Sequence, residues 1–454
     1  MNHFFFTTNR MQRWTFLGIF LLLFFCGEMI LPLNGWAQSF SDTGSFTFTG
    51  SQNPRLTPGN YRKFLPGDGL KVGPVKFHPF LGVAEVWTDN VFRRNKGRLG
   101  ANRVKARQSD FLTTIAPGVQ AILPFGGKHS FLLDYRAAQF LYSKFSGNNA
   151  LTQDGIAHIT LDFPGGLRID VDHNFVSGFD ARGAEVDSQQ ADITKWNSNT
   201  FRTTAQFVGN KIGVRGGVRY TQLDYRNNGQ DRPRDRKNAA ANFTVFVPTS
   251  VTTSALLGVF VSDQDFDKNN QVDNFAYGVF TGFRLAPSRQ LSGEINVGYT
   301  ILNFDRAPEG RSAEIMELQR QGLSLGGKQQ KALFVNGLLR WRPTSRLNFI
   351  FRPFRLIQQS AVFNTSTFTQ TGGVFRARQR IKDRFFISGS LGYSNNDFEE
   401  GRSDNRYSLR TALDYRTVKW LGFRLAYIFQ RRFSNQTNFR FYSNTISLSI
   451  QGFL

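Results

Sequence analysis

The chain of 454 residues contains a single cysteine, Cys26, and four methionines, three of which (Met1, Met11, Met29) stand near its start. Cys26 falls inside a leader-like segment, so the remainder has no thiol for a disulfide, a nucleophile or a cysteine metal site. Acidic residues are also scarce, with 33 Asp and Glu against 56 Lys and Arg. Beyond residue 37 no uncharged apolar run approaches the roughly 18 residues that a membrane-spanning helix requires. What the chain has in quantity is 48 Phe and 43 Gly, a composition foreign to helical enzymes.

Arg10 and Arg13 precede the apolar stretch Trp14 to Phe25, and Gly35-Trp36-Ala37 places small residues at −3 and −1 before Gln38. This reads as a secretory signal peptide over residues 1–37. An uncleaved anchor is disfavoured by Glu28 and Pro32 after the apolar core, and a lipoprotein by Phe24 and Phe25 before Cys26. Removing the leader takes Arg10, Arg13 and Glu28 with it, so the net charge falls only from +23 to +22. Acidic partners are therefore the ones to consider. Residues 38–74 are rich in Ser, Thr, Gly and Pro without sustained periodicity, and read as a flexible periplasmic extension.

From residue 75 to 454 the pattern has period 2. Phe131, Leu133 and Tyr135 alternate with Leu132, Asp134 and Arg136. Phe275, Tyr277, Val279, Thr281 and Phe283 alternate with small or polar residues, as do Tyr407, Leu409, Thr411, Leu413 and Tyr415. Each such strand has one apolar, aromatic face and one small, polar or charged face. Short turns at 124–128, 164–166, 209–211, 248–250, 286–290, 343–346, 382–384 and 416–419 alternate with polar segments at 93–109, 143–153, 176–196, 226–237, 263–273, 303–330, 359–368, 395–404 and 431–438. A soluble sandwich has no reason to sort its connections this way. A transmembrane antiparallel up-and-down β-barrel does, with tight periplasmic turns and longer extracellular loops. The count predicts about 18 strands, and barrels of that size enclose a channel. Trp341 and Trp420, beside short turns, fit a periplasmic aromatic girdle. Tyr442, Ile446, Leu448, Ile450, Gly452 and Leu454 share one face of the last strand, a pattern similar to the C-terminal signal read by the barrel-assembly machinery. Here Leu454 stands where an aromatic is usual, and Phe453 has the opposite parity.

If the apolar faces meet lipid, the other parity points inward. It carries Arg136, Arg168, Arg202, Arg215, Arg219, Arg284, Arg340, Arg342, Arg352, Arg376, Arg378, Arg406, Arg410 and Arg424. Inward acids are half as many: Asp134, Asp154, Asp162, Asp170, Asp172, Glu294 and Asp414. Arginine offers carboxylate or phosphate a planar fork of donors, so the fourteen are candidate contacts for an anionic substrate. An ion-pair lattice that merely holds the barrel open is the competing reading. Asp154, His158 and Asp162 share one face, with Asp170 and Asp172 on the neighbouring strand. Arg168 stands ready to pair with them and no serine is in register with His158, so no catalytic residue is assigned. The run Asp263 to Asn269 places oxygens at alternate positions. It lacks the sixth-position glycine of a calcium loop and has Asn274 at the twelfth, so a polar loop is the better reading. Arg93, Arg94, Lys96, Arg98, Arg103, Lys105 and Arg107 suit either lipopolysaccharide phosphates or solvent, and Ala313 to Gln319 is a helix candidate inside the longest loop.

The segment Phe77 to Phe92, with its Thr88-Asp89-Asn90 triplet, and Thr114-Ile115-Ala116-Pro117-Gly118-Val119 resemble the opening hairpin of the putative β-barrel porin 2 family. Trp87 replaces the tyrosine expected before the triplet. The resemblance implies an outer-membrane barrel associated with exopolysaccharide or capsule production. The expectation is a bacterial outer-membrane channel with a cationic lumen that exports an anionic polysaccharide, with a general anion-preferring porin as alternative. An outer-membrane enzyme is a third choice and an adhesive barrel a fourth. Expected partners are outer-membrane lipid and lipopolysaccharide, the barrel-assembly machinery, the polysaccharide and periplasmic export components. No cofactor, metal or nucleic acid is expected.

Overall fold

The computed structural model describes residues 69–95, 107–180, 182, 193–226, 235–267, 273–285, 290–304, 329–359, 367–398 and 401–454. The leader, most of the extension and the helix candidate at 313–319 lie outside the described residues. The strands in chain order are β1 (Leu70–Val72), β2 (Val75–Thr88), β3 (Asp110–Phe125), β4 (His129–Tyr142), β5 (Ala150–Asp162), β6 (Leu167–Phe179), β7 (Lys195–Val208), β8 (Gly213–Tyr225), β9 (Arg236–Pro248) and β10 (Thr253–Phe266). They continue with β11 (Asn274–Leu285), β12 (Leu291–Phe304), β13 (Gln329–Thr344), β14 (Leu347–Gln359), β15 (Thr367–Lys382), β16 (Phe385–Phe398), β17 (Ser403–Val418), β18 (Leu421–Ser434) and β19 (Phe441–Phe453). From β2 to β19 each strand pairs antiparallel with the next, and β19 pairs with β2, so 18 strands close into a ring. β1, within the segment read as the extension, forms a small hairpin against the start of β2.

Closure satisfies every strand edge internally, which is the condition for a sheet to cross lipid. The outward faces carry the apolar residues, with Leu257 64% exposed, Phe283 57%, Leu391 57% and Leu448 55%. In a soluble protein these would be core; here the sequence has turned its core outward. Two aromatic belts bound this surface. At the short-turn end Trp341 stacks on Phe349 with centroids 5.2 Å apart, and Phe385 on Tyr415 at 4.5 Å. Toward the long loops Tyr393 meets Tyr407 at 5.2 Å and Tyr407 meets Phe433 at 5.9 Å. On β16 the belt residues Phe385 and Tyr393 stand eight residues apart, about 27 Å of extended strand, which a barrel tilt of about 40° reduces to about 20 Å of height. That matches a hydrocarbon layer between two interfaces.

The connections differ in detail from their sequence bounds because strands run on into polar residues. β16 and β17 consume most of 395–404, leaving a connection of 399–402, no longer than the turn at 163–166. β10 likewise absorbs Asp263, Gln264 and Asp265. The alternate donors Asp263 and Asp265 lie along one face of an extended strand instead of curving round a cation, and Asp267 pairs with Lys237 at 3.3 Å, while 268–272 lie outside the described residues. The turn at Pro164-Gly165-Gly166 needs its glycines, since both have φ near +90° (89° and 90°).

Candidate functional site: the inner wall

All fourteen predicted arginines lie on the face opposite the exposed apolar residues, and hence on the inside of the ring. Their surroundings divide the wall. On β4–β12 six of them (Arg136, Arg168, Arg202, Arg215, Arg219, Arg284) share the inner face with six acids (Asp134, Asp154, Asp162, Asp170, Asp172, Glu294). On β13–β18 the other eight share it with two, Asp414 and Asp404.

The first wall is an ion-pair lattice. Arg136 holds Asp134 through Nε at 2.7 Å and a terminal nitrogen at 2.9 Å, and Gln120 donates to the same carboxylate at 2.9 Å. Arg168 grips Asp170 with two donors at 2.9 and 3.0 Å. His158 lies between carboxylates, its Nδ1 2.5 Å from Asp172 and its Nε2 2.9 Å from the Thr160 hydroxyl. An acid, a histidine and a hydroxyl in line suggest a nucleophile relay. Here, however, Thr160 donates its only proton to Asp170 at 2.9 Å, so His158 has none to accept from it. The cluster is buried and saturated: His158 is 4% exposed, Thr160 4% and Asp170 6%.

The wall then folds inward. Arg215 on β8 binds Glu294 on β12 with two bonds of 3.1 and 2.9 Å, and Arg284 on β11 reaches Gln206 on β7 at 3.4 Å. In an evenly round ring of 18 strands, elements four apart stand about 23 Å from one another, given a spacing of about 4.8 Å and a tilt of about 40°. No arginine and glutamate span that, so the sector β7–β12 curls more tightly than a circle. Phe260 on β10 correspondingly meets Phe334 on β13 with ring centroids 5.5 Å apart, in a cluster with Phe246, Leu256 and Phe280. The abundance of Phe and Gly has a common cause here. Phe80, Phe260, Phe280 and Phe334 each lie directly across from Gly118, Gly278, Gly258 and Gly298, and a Cβ at any of these glycines would overlap the ring.

On the second wall, register sets Arg340 of β13 across from Ile350, Ile350 from Arg376 of β15, Arg376 from Ser390, and Ser390 from Arg410 of β17. Arginines thus alternate with small or apolar residues along a line perpendicular to the strands, about 10 Å from one to the next. The line climbs. Arg340 stands four residues before the end of β13, Arg376 six before that of β15 and Arg410 eight before that of β17. Below it Arg378 and Arg416 flank the Phe386 ring at 4.9 and 5.2 Å, and Arg424 lies 3.5 Å from Asp414.

Sequence reasoning missed several participants. Arg402 and Arg432, 3% exposed each, lie in polar stretches read as loops; Arg402 pairs with Asp404 at 2.5 Å and stacks on Phe439 at 3.6 Å. Arg107, a candidate for lipopolysaccharide, instead pairs with Asp89 and covers the Tyr442 ring. The Thr88-Asp89-Asn90 triplet fastens the first strand to the last. Asp89 accepts from the Asn444 backbone at 2.9 Å and side chain at 2.6 Å, Asn90 donates to the Tyr442 carbonyl at 2.8 Å, and Thr88 meets Ser443 at 3.3 Å. At the other end of that seam Phe453 turns inward across from Phe80, leaving Leu454 outward and 59% exposed.

The profile of the family described as "Putative beta-barrel porin 2" matches residues 67–311 and 327–452. The chain belongs to that family. This porin 2 chain is an outer-membrane, porin-like β-barrel, located in the bacterial outer membrane. Solved structures to which the chain is similar include the outer membrane protein OpdK of Pseudomonas aeruginosa, at 10% identity and a TM-score of 0.42 over 84% of this chain and 98% of that one. OccK2 (OpdF) of the same organism aligns at 10% identity and a TM-score of 0.44, over 83% and 98%. A "bacterial polysaccharide outer membrane secretin" aligns at 10% identity and a TM-score of 0.33, over 82% and 97%. No protein of curated function matches the chain.

Proposed function

We propose that this porin conducts an anionic solute through a cationic lumen, and that the solute is a secreted polysaccharide passing outward. The observation that carries the reading is the inner wall of β13–β18, where the eight predicted arginines, together with Arg380, Arg416 and Arg432, face two acids. Local hydrogen bonds can hold an arginine in place without cancelling its charge, so this wall retains a positive excess. Low-dielectric walls confine its field to the bore and concentrate counter-ions there. A line of guanidiniums separated by short side chains offers successive carboxylates or phosphates equivalent sites, so a chain can advance without leaving one deep trap. The lattice on β4–β7 has the opposite role: its charges compensate each other and hold the curvature. This reading assigns no catalysis, since the histidine-carboxylate cluster of His158, Asp170 and Asp172, the one such cluster on the inner wall among the described residues, is closed on itself.

The direct test is removal of the gene from a cell that displays an anionic polymer. The expected result is loss of surface polymer with acidic polysaccharide retained in the periplasm. Unchanged surface polymer, together with reduced uptake of small anions, would instead identify a general anion porin.

A further inference from the structure

The charge asymmetry does not stop at the bore. The turns that join β13 to β14, β15 to β16 and β17 to β18 carry Arg346, Arg384 and Lys419, and Lys382 closes β15 beside them, all exposed, with Asp383 as the one acid of these turns. Arg342 and Arg416, also exposed, stand directly above them on the inner side. The turns at 126–128 and 209–212 have one lysine each, and those at 163–166 and 249–252 have no charge. The basic turns therefore sit under the same strands as the arginine line, and Arg340, its lowest member, is only four residues from the end of β13.

We propose that this turn-side rim is the loading site for a polyanion, which it captures from the periplasm and delivers onto the line Arg340, Arg376, Arg410. The inference rests on the anionic-lumen reading and adds where and from which side the chain enters. Continuity favours a solute over a lipid headgroup: Arg342 and Arg416 lie on the inner face, while Trp341 and Tyr415 beside them take the lipid side. A one-sided rim also offers an acidic polymer an oriented start, since its first contacts fall below the lowest step of the line. Capture of this kind is a long-range effect on association rate, worth 10- to 1,000-fold at low ionic strength.

The test uses the full-length porin in planar bilayers of neutral lipid, with dextran sulfate as the polyanion and neutral dextran as control. Orientation is read from streptavidin block of a biotinylated Q436C. At low salt, dextran sulfate added on the turn side should block the current at a rate at least about tenfold that from the loop side. R346Q/K382Q/R384Q/K419Q should remove most of that difference while the reversal potential in a salt gradient stays on the anion-selective side, held there by Arg340, Arg376 and Arg410. The R346K/R384K exchange, which keeps the charge, should retain it. Equal block from both sides, or a quadruple variant that blocks as fast as the wild type, overturns the loading site while an anion-selective reversal potential leaves the lumen reading standing. If the quadruple variant blocks normally but inserts poorly in bilayers with anionic lipid, the rim serves lipid and the proposal fails. Loss of anion selectivity in the wild type removes both.

Discussion

Two stretches of one inner wall use the same residue in opposite ways. On β4–β6, Arg136 and Arg168 each grip a carboxylate two positions away on their own strand, and the groups they hold are buried, with Asp134 3% exposed. On β13–β17, Arg340, Arg376 and Arg410 are partly exposed and stand two strands apart, with Ile350 and Ser390 between them. The first arrangement spends its charge on shape and the second leaves it facing the bore. An inward arginine therefore does not reveal its role; the acids in its register do.

The comparison should break first where a buried pair is cut. Asp134→Ala takes a buried carboxylate from the half-buried Arg136 and leaves Gln120 without its acceptor, at a cost of about 3–5 kcal/mol. Arg376→Gln, on the other wall, changes a partly exposed side chain set across from Ile350 and Ser390, keeps a hydrogen-bonding group there, and should shift stability far less. Guanidine unfolding in lipid vesicles measures both. A similar loss in the two variants would erase the distinction between the walls.

The next effect separates the two faces of a single strand. Leu413 points outward and is 41% exposed, while Ala412 points inward on the basic wall. Leu413→Arg should cost about 2–4 kcal/mol if it lies near the bilayer midplane, and Ala412→Ser much less. Gly278 would be a poor inner-face control, since any Cβ there meets the Phe260 ring. Smaller still is the seam. Asp89→Ala removes two acceptors for Asn444 and the partner of Arg107, and should lower stability by about 1–3 kcal/mol without moving selectivity. A change of reversal potential in that variant would mean that the triplet serves the bore as well as the seam.

The parity of the fold was legible because lipid and water impose opposite polarity on alternate residues, as at Tyr407, Leu409 and Leu413 against Arg406, Arg410 and Asp414. The ends of strands were not, since a polar strand such as β10 beyond Val261 and a polar loop have the same composition. Arg402 and Arg432 were lost for that reason. The identity of the paired arginines was only partly legible. Arg136 with Asp134 follows from i and i+2 spacing on one face, but Arg215 with Glu294 joins residues 79 apart, through an inward curl of the sheet that no local pattern encodes. Glycines at 118, 258, 278 and 298 read as weak strand formers, yet each is the space a facing ring occupies.

The central claim is that net charge on β13–β18, and not the number of arginines inside, sets selectivity. The reversal potential in a tenfold KCl gradient tests it in three proteins: the wild type, R340Q/R376Q/R410Q, and a charge-compensated variant of the other wall, D134N/R136Q/R168Q/D170N. The wild type should prefer anions, with the preference fading toward 1 M salt as the screening length falls to about 3 Å. The triple variant should move toward zero potential, and the compensated variant should keep the wild-type value. A cation-selective wild type, or equal displacement in the two variants, would contradict the account.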